Sequence, residues 1–179
     1  TVDFTDAGSA THTFHKRSIN NLDHLQGEEV SILVDGSVVD SQTVTSNKVV
    51  PIGSSYSTRA IAGKEYTSKL ITLPISMGPD GRVRIGNKKR IHRVWAKTYK
   101  TPNFKFAVFT SDFTDDDLTE LVTRTVANQY GEAPHLSSES QELVPSSQGF
   151  TEGQFLLQQT DPLPMNILAL ELDYETNDN

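Results

Sequence analysis

Four residues near the start of the chain have side chains that can hold a metal ion. His12 and His15 are three residues apart, and Asp23 and His24 follow them. Imidazole and carboxylate groups bind divalent metals when a helix or a turn fixes their directions. This segment has no helical pattern, and the chain has no cysteine to complete such a site. We therefore favour an ordinary polar loop, and we expect no metal and no other cofactor.

A second candidate for cation binding is a run of three carboxylates, Asp115, Asp116 and Asp117. A calcium loop needs oxygen ligands at spaced positions and a glycine that turns the chain, and this run has neither. The start of a helix or a solvated turn explains the three acids better than a divalent cation does.

The other reactive residues form no catalytic motif. Serine is plentiful, but no serine lies in a G-x-S-x-G elbow. The glycines of residues 78–81 and 86–88 match neither phosphate-binding nor dinucleotide-binding patterns. The sequence therefore predicts that the chain is not an enzyme. A hydrolase of the cell envelope stays as an alternative, because its paired carboxylates would be brought together only by the fold.

Positive charge is concentrated in one stretch that also contains Trp95 and Tyr99. Residues 82–100 hold eight of the 16 Lys and Arg residues and no acid, whereas 14 acids follow residue 100. Cations among aromatic rings can bind nucleic acid, but the net charge of −7 argues against it. We favour cations that pair with acids of the same chain or of a neighbouring copy, with a plain solvated face as the simpler alternative. The candidates for contacts with another subunit or an adaptor are Arg82, Arg84, Lys88, Lys89, Arg90, Arg93, Lys97 and Lys100.

The pattern of apolar residues in the first half of the chain predicts strands. Residues 30–34 are an apolar run, and Asp35-Gly36 after them is a strong signal for a two-residue turn. With residues 37–45 and 48–52 they predict a three-stranded meander. Residues 70–75 are a further strand, which Pro74 places at a sheet edge because proline cannot donate to the ladder.

The second half of the chain continues the strand pattern. Residues 89–99 and 104–108 are predicted as strands that could form a hairpin. Shorter strands are predicted at 142–144 and 153–158. Residues 165–172 are apolar on both faces, which predicts a central strand that is covered on both sides.

Residues 114–126 fit a helix and a strand almost equally. Thr114 and Asp117 have the spacing of a capping box, but the β-branched residues that follow favour a strand. The fold class predicted for the whole chain is all-β, a sandwich- or barrel-like domain of short antiparallel strands with long loops and at most one short helix.

Length and composition are compatible with this fold class. The 179 residues suit a single β-rich domain, residues 1–179, with a possible division into an N-terminal meander, 1–76, and a C-terminal sheet, 77–179. No apolar run is long enough for a membrane span. The chain begins with Thr1 and shows no signal-peptide pattern. We interpret it as a C-terminal fragment of a longer polypeptide, with a processed N-terminus as the alternative.

Four segments, in a fixed order, carry a resemblance to a known family. The first reads NLDHLQGEEVSILVDG and is followed by QTV and IG, and the second reads NKKRIHRV. The third consists of a single arginine and, further along the chain, the sequence APHL. The fourth reads GQFLLQQTDPLPMNILAL. Together they resemble the C-terminal region of the tail nozzle proteins of short-tailed bacteriophages, also called tail tubular protein B or stabilisation proteins. The segments are residues 21–36, 42–44 and 52–53, residues 87–94, Arg124 with residues 133–136, and residues 153–170.

The resemblance spans residues 12–172, although residues 55–65 and 115–117 have no counterpart in it. It implies a structural virion protein, assembled in the host cytoplasm, that forms a homohexameric ring at the end of the tail. Such a ring would dock to the tail adaptor and to a tail fibre or spike, and it would close the channel until genome ejection. Phage DNA would pass through the channel without specific binding, and an acidic lumen would suit that passage. The resemblance also favours a strand over a helix near residues 121–126.

A carbohydrate- or receptor-binding β-sandwich module of a phage tail is the main alternative. It would need exposed aromatic rings on one face, for which the candidates are Tyr56, Tyr66 and Trp95.

Overall fold

The structure is a computed structural model, and it describes residues 18–46, 48–49, 59–78, 81–83, 86–122, 133–146 and 149–177. Strands dominate these residues, and the only helical segments among them are two 3-10 turns of three residues each. The predicted all-β class is therefore confirmed.

The described residues divide into two compact units. One contains the residues up to 35 together with 39–64, and the other contains residues 36–38 and everything from 65 onward. The boundary along the chain thus lies between Lys64 and Glu65, whereas the sequence suggested a possible division after residue 76.

The first unit is built on a three-stranded sheet, in the order β3-β2-β5, and a two-stranded ladder of β1 with β4. Two strands of the predicted meander are neighbours as expected. The third forms a ladder with β1 and meets the second through the single bridge between Thr45 and Lys48. Both residues of the turn that joins β2 to β3 have positive φ, 49° at Asp35 and 88° at Gly36, as a type I′ hairpin requires. The elements are β1 (Ile19–Asn20), a 3-10 turn η1 (Asp23–Leu25), β2 (Glu29–Val34), β3 (Ser37–Thr43), β4 (Lys48–Val49) and β5 (Ala60–Lys64).

The second unit is a sandwich of two antiparallel sheets. One sheet has the order β10-β7-β12 and the other β6-β11-β8-β9. A shared core lies between them, in which Val94 and Leu143 of the first sheet meet Phe106 and Phe155 of the second. The elements are β6 (Ser68–Ile71), β7 (Lys89–Thr98), β8 (Phe104–Phe109), a 3-10 turn η2 (Asp115–Asp117), β9 (Thr119–Leu121), β10 (Ser140–Leu143), β11 (Gln154–Gln159) and β12 (Ile167–Thr176).

The predicted hairpin of β7 with β8 is wrong, because these two strands belong to different sheets. The connection bends at Lys100, whose φ is 47°. Thr101 then forms an antiparallel bridge with Ser137, and its hydroxyl donates to the carbonyl oxygen of Asn166 over 3.2 Å. These bonds hold the crossing between the two sheets and prevent a tight turn.

The prediction of a central β12 is also wrong. Among the described residues, β12 pairs only with β7 and is an edge strand. The register slips between Ile167 and Ala169, which makes Leu168 an extra residue, and its side chain is 62% exposed. A bulge of this kind explains why residues 165–172 look apolar on both faces.

For residues 70–75, a strand is present and its predicted edge position is confirmed, since β6 is the outermost strand of its sheet, but residues 72–75 of the predicted strand are not part of it. Pro74 lies just beyond the end of β6 at Ile71.

Between residues 114 and 122, the described part of this segment, the structure shows one short 3-10 turn and one short strand. Thr114 and Asp117 form the predicted capping box around η2, and β9 follows and pairs with β8. Residues 123–126, where the sequence placed the rest of a strand, lie outside the described residues.

Candidate functional site

The main candidate site is the outward face of the three-stranded sheet. β7 runs through the middle of this face with its cations and Trp95, and the acids of β10 and β12 lie on either side. We call it the charged face, formed by Arg90, His92, Arg93, Trp95, Lys97, Glu142, Glu171, Asp173 and Glu175.

A bulge in β7 positions these side chains. Arg93 pairs with Asp173 and Ile91 with Tyr174, so that His92 is the extra residue. The side chains of Ile91, Val94 and Ala96 all point into the core, which a regular alternation would not allow. A regular alternation would put Ile91 and Arg93 on one face, and the bulge separates them.

Strand pairing places opposite charges next to each other on the charged face. Arg93 Nη1 lies 3.3 Å from Glu142 Oε1, and Arg90 Nη1 lies 3.6 Å from Glu175 Oε1. His92 Nε2 lies 3.6 Å from the other oxygen of Glu175. The expected pairing of the cations with acids is thus present within the chain for Arg90 and Arg93. The side chains are about half exposed, so each pair contributes little to stability, of the order of 0–1 kcal/mol.

Trp95 lies at the centre of the charged face. In the strand register its neighbours are Glu142 of β10 and Glu171 of β12. The ring is partly buried. An aromatic ring between two carboxylates offers both a stacking surface and hydrogen-bond acceptors.

The eight candidate contact residues do not form one surface. Lys89 is buried, with 1% exposure, because Gly153 packs against its side chain and its backbone bridges Thr151. It is therefore not available on the surface of the chain. Lys97 is exposed on the charged face.

Three of the other four candidates, Arg82, Lys88 and Lys100, lie outside the charged face. The ammonium group of Lys100 lies 5.4 Å from the centre of the Tyr99 ring. Arg82 and Lys88 are exposed, and Arg84 lies outside the described residues. A role of the exposed cations in contacts with another subunit or an adaptor remains a prediction.

A second polar group lies on the outward face of the four-stranded sheet, and the sequence did not indicate it. The strand register places Lys69, Gln158, Lys105 and Glu120 in one row across the four strands. Gln158 is buried, and its Oε1 has no hydrogen-bond partner among the described residues. A glutamine within an apolar stretch gives no sign of this arrangement, since only the sheet order creates the row.

Asp161 is close to this row and has an altered acidity. Burial is the main cause that raises its pKa, and the negative charge of Glu120 adds to the effect. Lys105 partly offsets the rise, and Glu65 contributes to it. The ionised form of Asp161 is therefore less stable in the folded protein than in water.

The proposed metal ligands of the sequence do not form a site in the part of the chain that is described. Asp23 and His24 are exposed in η1, and His12 and His15 lie outside the described residues. Asp117 is engaged in the capping box, and Asp115 lies 3.8 Å from Lys69. Within residues 18–177, leaving out the undescribed positions, no three His, Asp or Glu side chains are placed to hold a metal ion together.

Several described residues of the segments that carry the family resemblance occupy architectural positions. Asp35 and Gly36 form the β2–β3 turn, and Val30 and Ile32 fill the core of the first unit. In the fourth segment, residues 154–159 form β11, which is buried along almost its whole length.

Comparison with protein-family models and with curated proteins finds no match to this chain. The described residues contain no helix with the length and apolar character of a membrane span.

Proposed function

We propose that this chain is a structural virion domain, the C-terminal part of a phage tail nozzle protein. In this proposal the whole protein catalyses no reaction; it forms a ring that docks to the tail adaptor and closes the DNA exit channel until ejection. The tail fibre or spike would bind at the side of the ring, and DNA would pass through it without specific contacts.

One observation carries the proposal. Within the described residues, parts of the segments that resemble tail nozzle proteins lie in a turn and in buried strands of the two units. Asp35-Gly36 forms the turn between β2 and β3, and β11 is one of the two inner strands of the four-stranded sheet. Residues that serve the fold in this way are what a scaffold protein needs, because its task is to hold a shape.

The location of the protein in virus particles tests this proposal. An antibody raised against the chain would be applied to phage particles purified from the source organism, with gold-labelled second antibody and electron microscopy. We expect gold at the tail tip. Label on the capsid alone, or protein that is found only in the free cytoplasmic fraction, would refute it.

A carbohydrate- or receptor-binding module is the second candidate, and Trp95 is the observation that favours it. A ring between Glu142 and Glu171 could stack on a sugar, and the two carboxylates could accept hydrogen bonds from its hydroxyl groups. Of the other aromatic candidates, Tyr66 is 78% exposed but lies in the segment between β5 and β6. Tyr56 lies outside the described residues.

A glycan array separates the two functions. The wild-type chain and Trp95→Ala would be tested side by side, with Tyr66→Ala as a control aromatic away from the charged face. Binding of a defined glycan that Trp95→Ala removes and Tyr66→Ala retains would support the module. No binding to any glycan would count against it.

A further inference from the structure

The two sheets of the sandwich differ in width, and the difference leaves one place uncovered. The sheet β6-β11-β8-β9 has four strands, whereas β10-β7-β12 has three. Two hydrogen bonds show how they overlap. Ser146, just after β10, donates to the carbonyl oxygen of Asp117 just before β9, over 3.2 Å. Tyr174 of β12 donates to the carbonyl oxygen of Met77, beyond β6, over 2.7 Å. β10 therefore lies toward β9, and β12 lies toward β6.

Burial shows that the cover ends before it reaches β6. Leu121 of β9 is partly buried and packs against the core. Leu70 of β6 is opposite Leu157 in the register, and Leu157 is fully buried in the core. Directly paired residues point to the same side of a sheet, so Leu70 also faces inward. Leu70 is nevertheless 46% exposed.

The strand that would cover Leu70 would be the next neighbour of β12. β12 is ten residues long and presents a free edge in the described part of the chain. Such an edge is a template for the addition of a strand. We define the open slot as the free edge of β12 together with the exposed inward face of Leu70.

The side chains of β12 specify what would fit the open slot. Leu170 and Leu172 face the core, while Glu171 and Asp173 are exposed on the other face. On its occupied edge, β12 already has a partner with the matching pattern. There β7 places Val94 opposite Leu172 and Arg93 opposite Asp173.

We propose that the open slot binds an extended segment of another protein in which apolar residues alternate with lysine or arginine. The apolar residues would cover Leu70 and extend the core, and the cations would lie next to Glu171 and Asp173. The sandwich would then have four strands in each sheet. This inference goes beyond the proposed function, because it concerns the edge of one sheet and holds whatever assembly the chain belongs to.

A second copy of this chain is a poorer occupant. Antiparallel pairing of β12 with β12 of another copy would bring acids next to acids, which is destabilising. The edge strands β9 and β10 carry Glu120 and Glu142 and no cation. β6 carries one cation, Lys69, which already lies near Asp115.

A short peptide tests the proposal directly. The probe is a fluorescein-labelled ten-residue peptide of alternating valine and lysine, and its binding to the full chain is measured by fluorescence anisotropy. A valine–glutamate peptide serves as the opposite-charge probe. We expect the basic peptide to bind and the acidic peptide not to bind. Absence of binding by the basic peptide up to millimolar concentration would overturn the proposal.

Charge reversal on β12 tests the register of the slot. The double variant Glu171→Lys with Asp173→Lys should bind the basic peptide with an affinity that is lower by about tenfold or more, because two cross-strand attractions become repulsions. The same variant should gain affinity for the acidic peptide. Asp112→Lys with Asp116→Lys, on the exposed loop between β8 and β9, changes the net charge equally and should leave both affinities as they were. If both double variants lowered the affinity for the basic peptide equally, the effect of charge would be non-specific and the proposed binding at the open slot would be refuted.

The inward face and the backbone are tested separately. Leu70→Glu should abolish binding of the basic peptide, whereas Leu73→Glu, at a side chain that is 86% exposed beyond β6, should not. Two further peptides would carry N-methyl groups on alternate amides, one on the odd-numbered and the other on the even-numbered residues. Because strand addition needs the amide N–H donors, at least one of the two should no longer bind. Unfolding curves of every variant show that the fold is intact. Two results would contradict the proposal. One is that both N-methylated peptides still bind. The other is that the chain self-associates, that the charge reversal abolishes this self-association, and that the basic peptide never binds.

Discussion

At the scale of single residues, the core of the sandwich depends on a few aromatic side chains. Phe155 is fully buried, and its ring lies 6.0 Å from that of Phe106 in a stacked arrangement. Phe155→Ala would remove these contacts and leave a cavity between the sheets. We expect a loss of about 3–5 kcal/mol in the free energy of unfolding, measured by urea denaturation. Phe150→Ala, at a ring that is 40% exposed, is the matched control and should cost far less; equal losses would contradict the assigned core.

Asp161 gives a prediction about pH. Its pKa is raised in the folded protein, first by burial and then by Glu120. Ionised Asp161 therefore lowers the free energy of unfolding at pH values above its pKa in the folded protein. Below its pKa in the unfolded chain, near 3.8, the carboxyl group is protonated in both states and this loss is absent. Asp161→Asn should raise the melting temperature at pH 7 and make little difference at pH 3. Thermal unfolding followed by circular dichroism across this range measures it, and a lower melting temperature of the variant at pH 7 would show that the carboxylate is stabilising.

At the scale of elements, the β2–β3 hairpin depends on backbone conformation more than on side-chain contacts. Gly36 has a φ of 88°. For residues other than glycine, this backbone conformation costs about 1–2 kcal/mol. Gly36→Ala should destabilise the protein by at least about that amount, because the added methyl carbon would also lie 3.0 Å from the Cβ of Ala133; denaturant unfolding measures this loss. Gly149→Ala is the control, because Gly149 has no positive φ and a methyl group there would meet no atom within 4 Å. If both variants were equally stable, the turn would not need its glycine.

Much of the element pattern is predictable from the sequence because it depends on short-range signals. Alternating apolar residues mark β8, and the Asp35-Gly36 pair marks a two-residue turn; both are present in the structure. The capping box at Thr114 and Asp117 is equally local and was also predicted correctly.

The errors arise where strands pair over long distances. The bulges at His92 and Leu168 shift the side-chain alternation by one residue, and no local pattern marks a bulge. β7 pairs with β10 and β12 in its sheet, and β12 lies about 70 residues later in the sequence. For the same reason the row around Gln158 and the open slot beside β12 cannot be seen in the sequence, because each is formed by strands that the chain brings together only when it folds.

At the scale of the whole molecule, the three-stranded sheet shows how the positive and negative charges of the sequence are brought together. The basic stretch of the sequence becomes the middle strand of a sheet, and β12 brings Asp173 and Glu175 to its side. Ion pairs within the chain neutralise part of the basic stretch, which reduces its attraction for nucleic acid. This arrangement fits the proposed passage of DNA without specific binding. We expect the chain to show no measurable retention of double-stranded DNA in a gel-shift experiment at 150 mM salt, and a salt-resistant, sequence-specific complex would contradict this expectation.

We propose that the chain is a β scaffold from a longer, ring-forming tail protein, and the mass of that protein in its assembled form tests this proposal most directly. Native mass spectrometry would be applied to the complete protein that contains this chain, alone and with its tail adaptor. We predict a complex of six copies, formed alone or on the adaptor ring. A protein that remains monomeric under both conditions would contradict the claim.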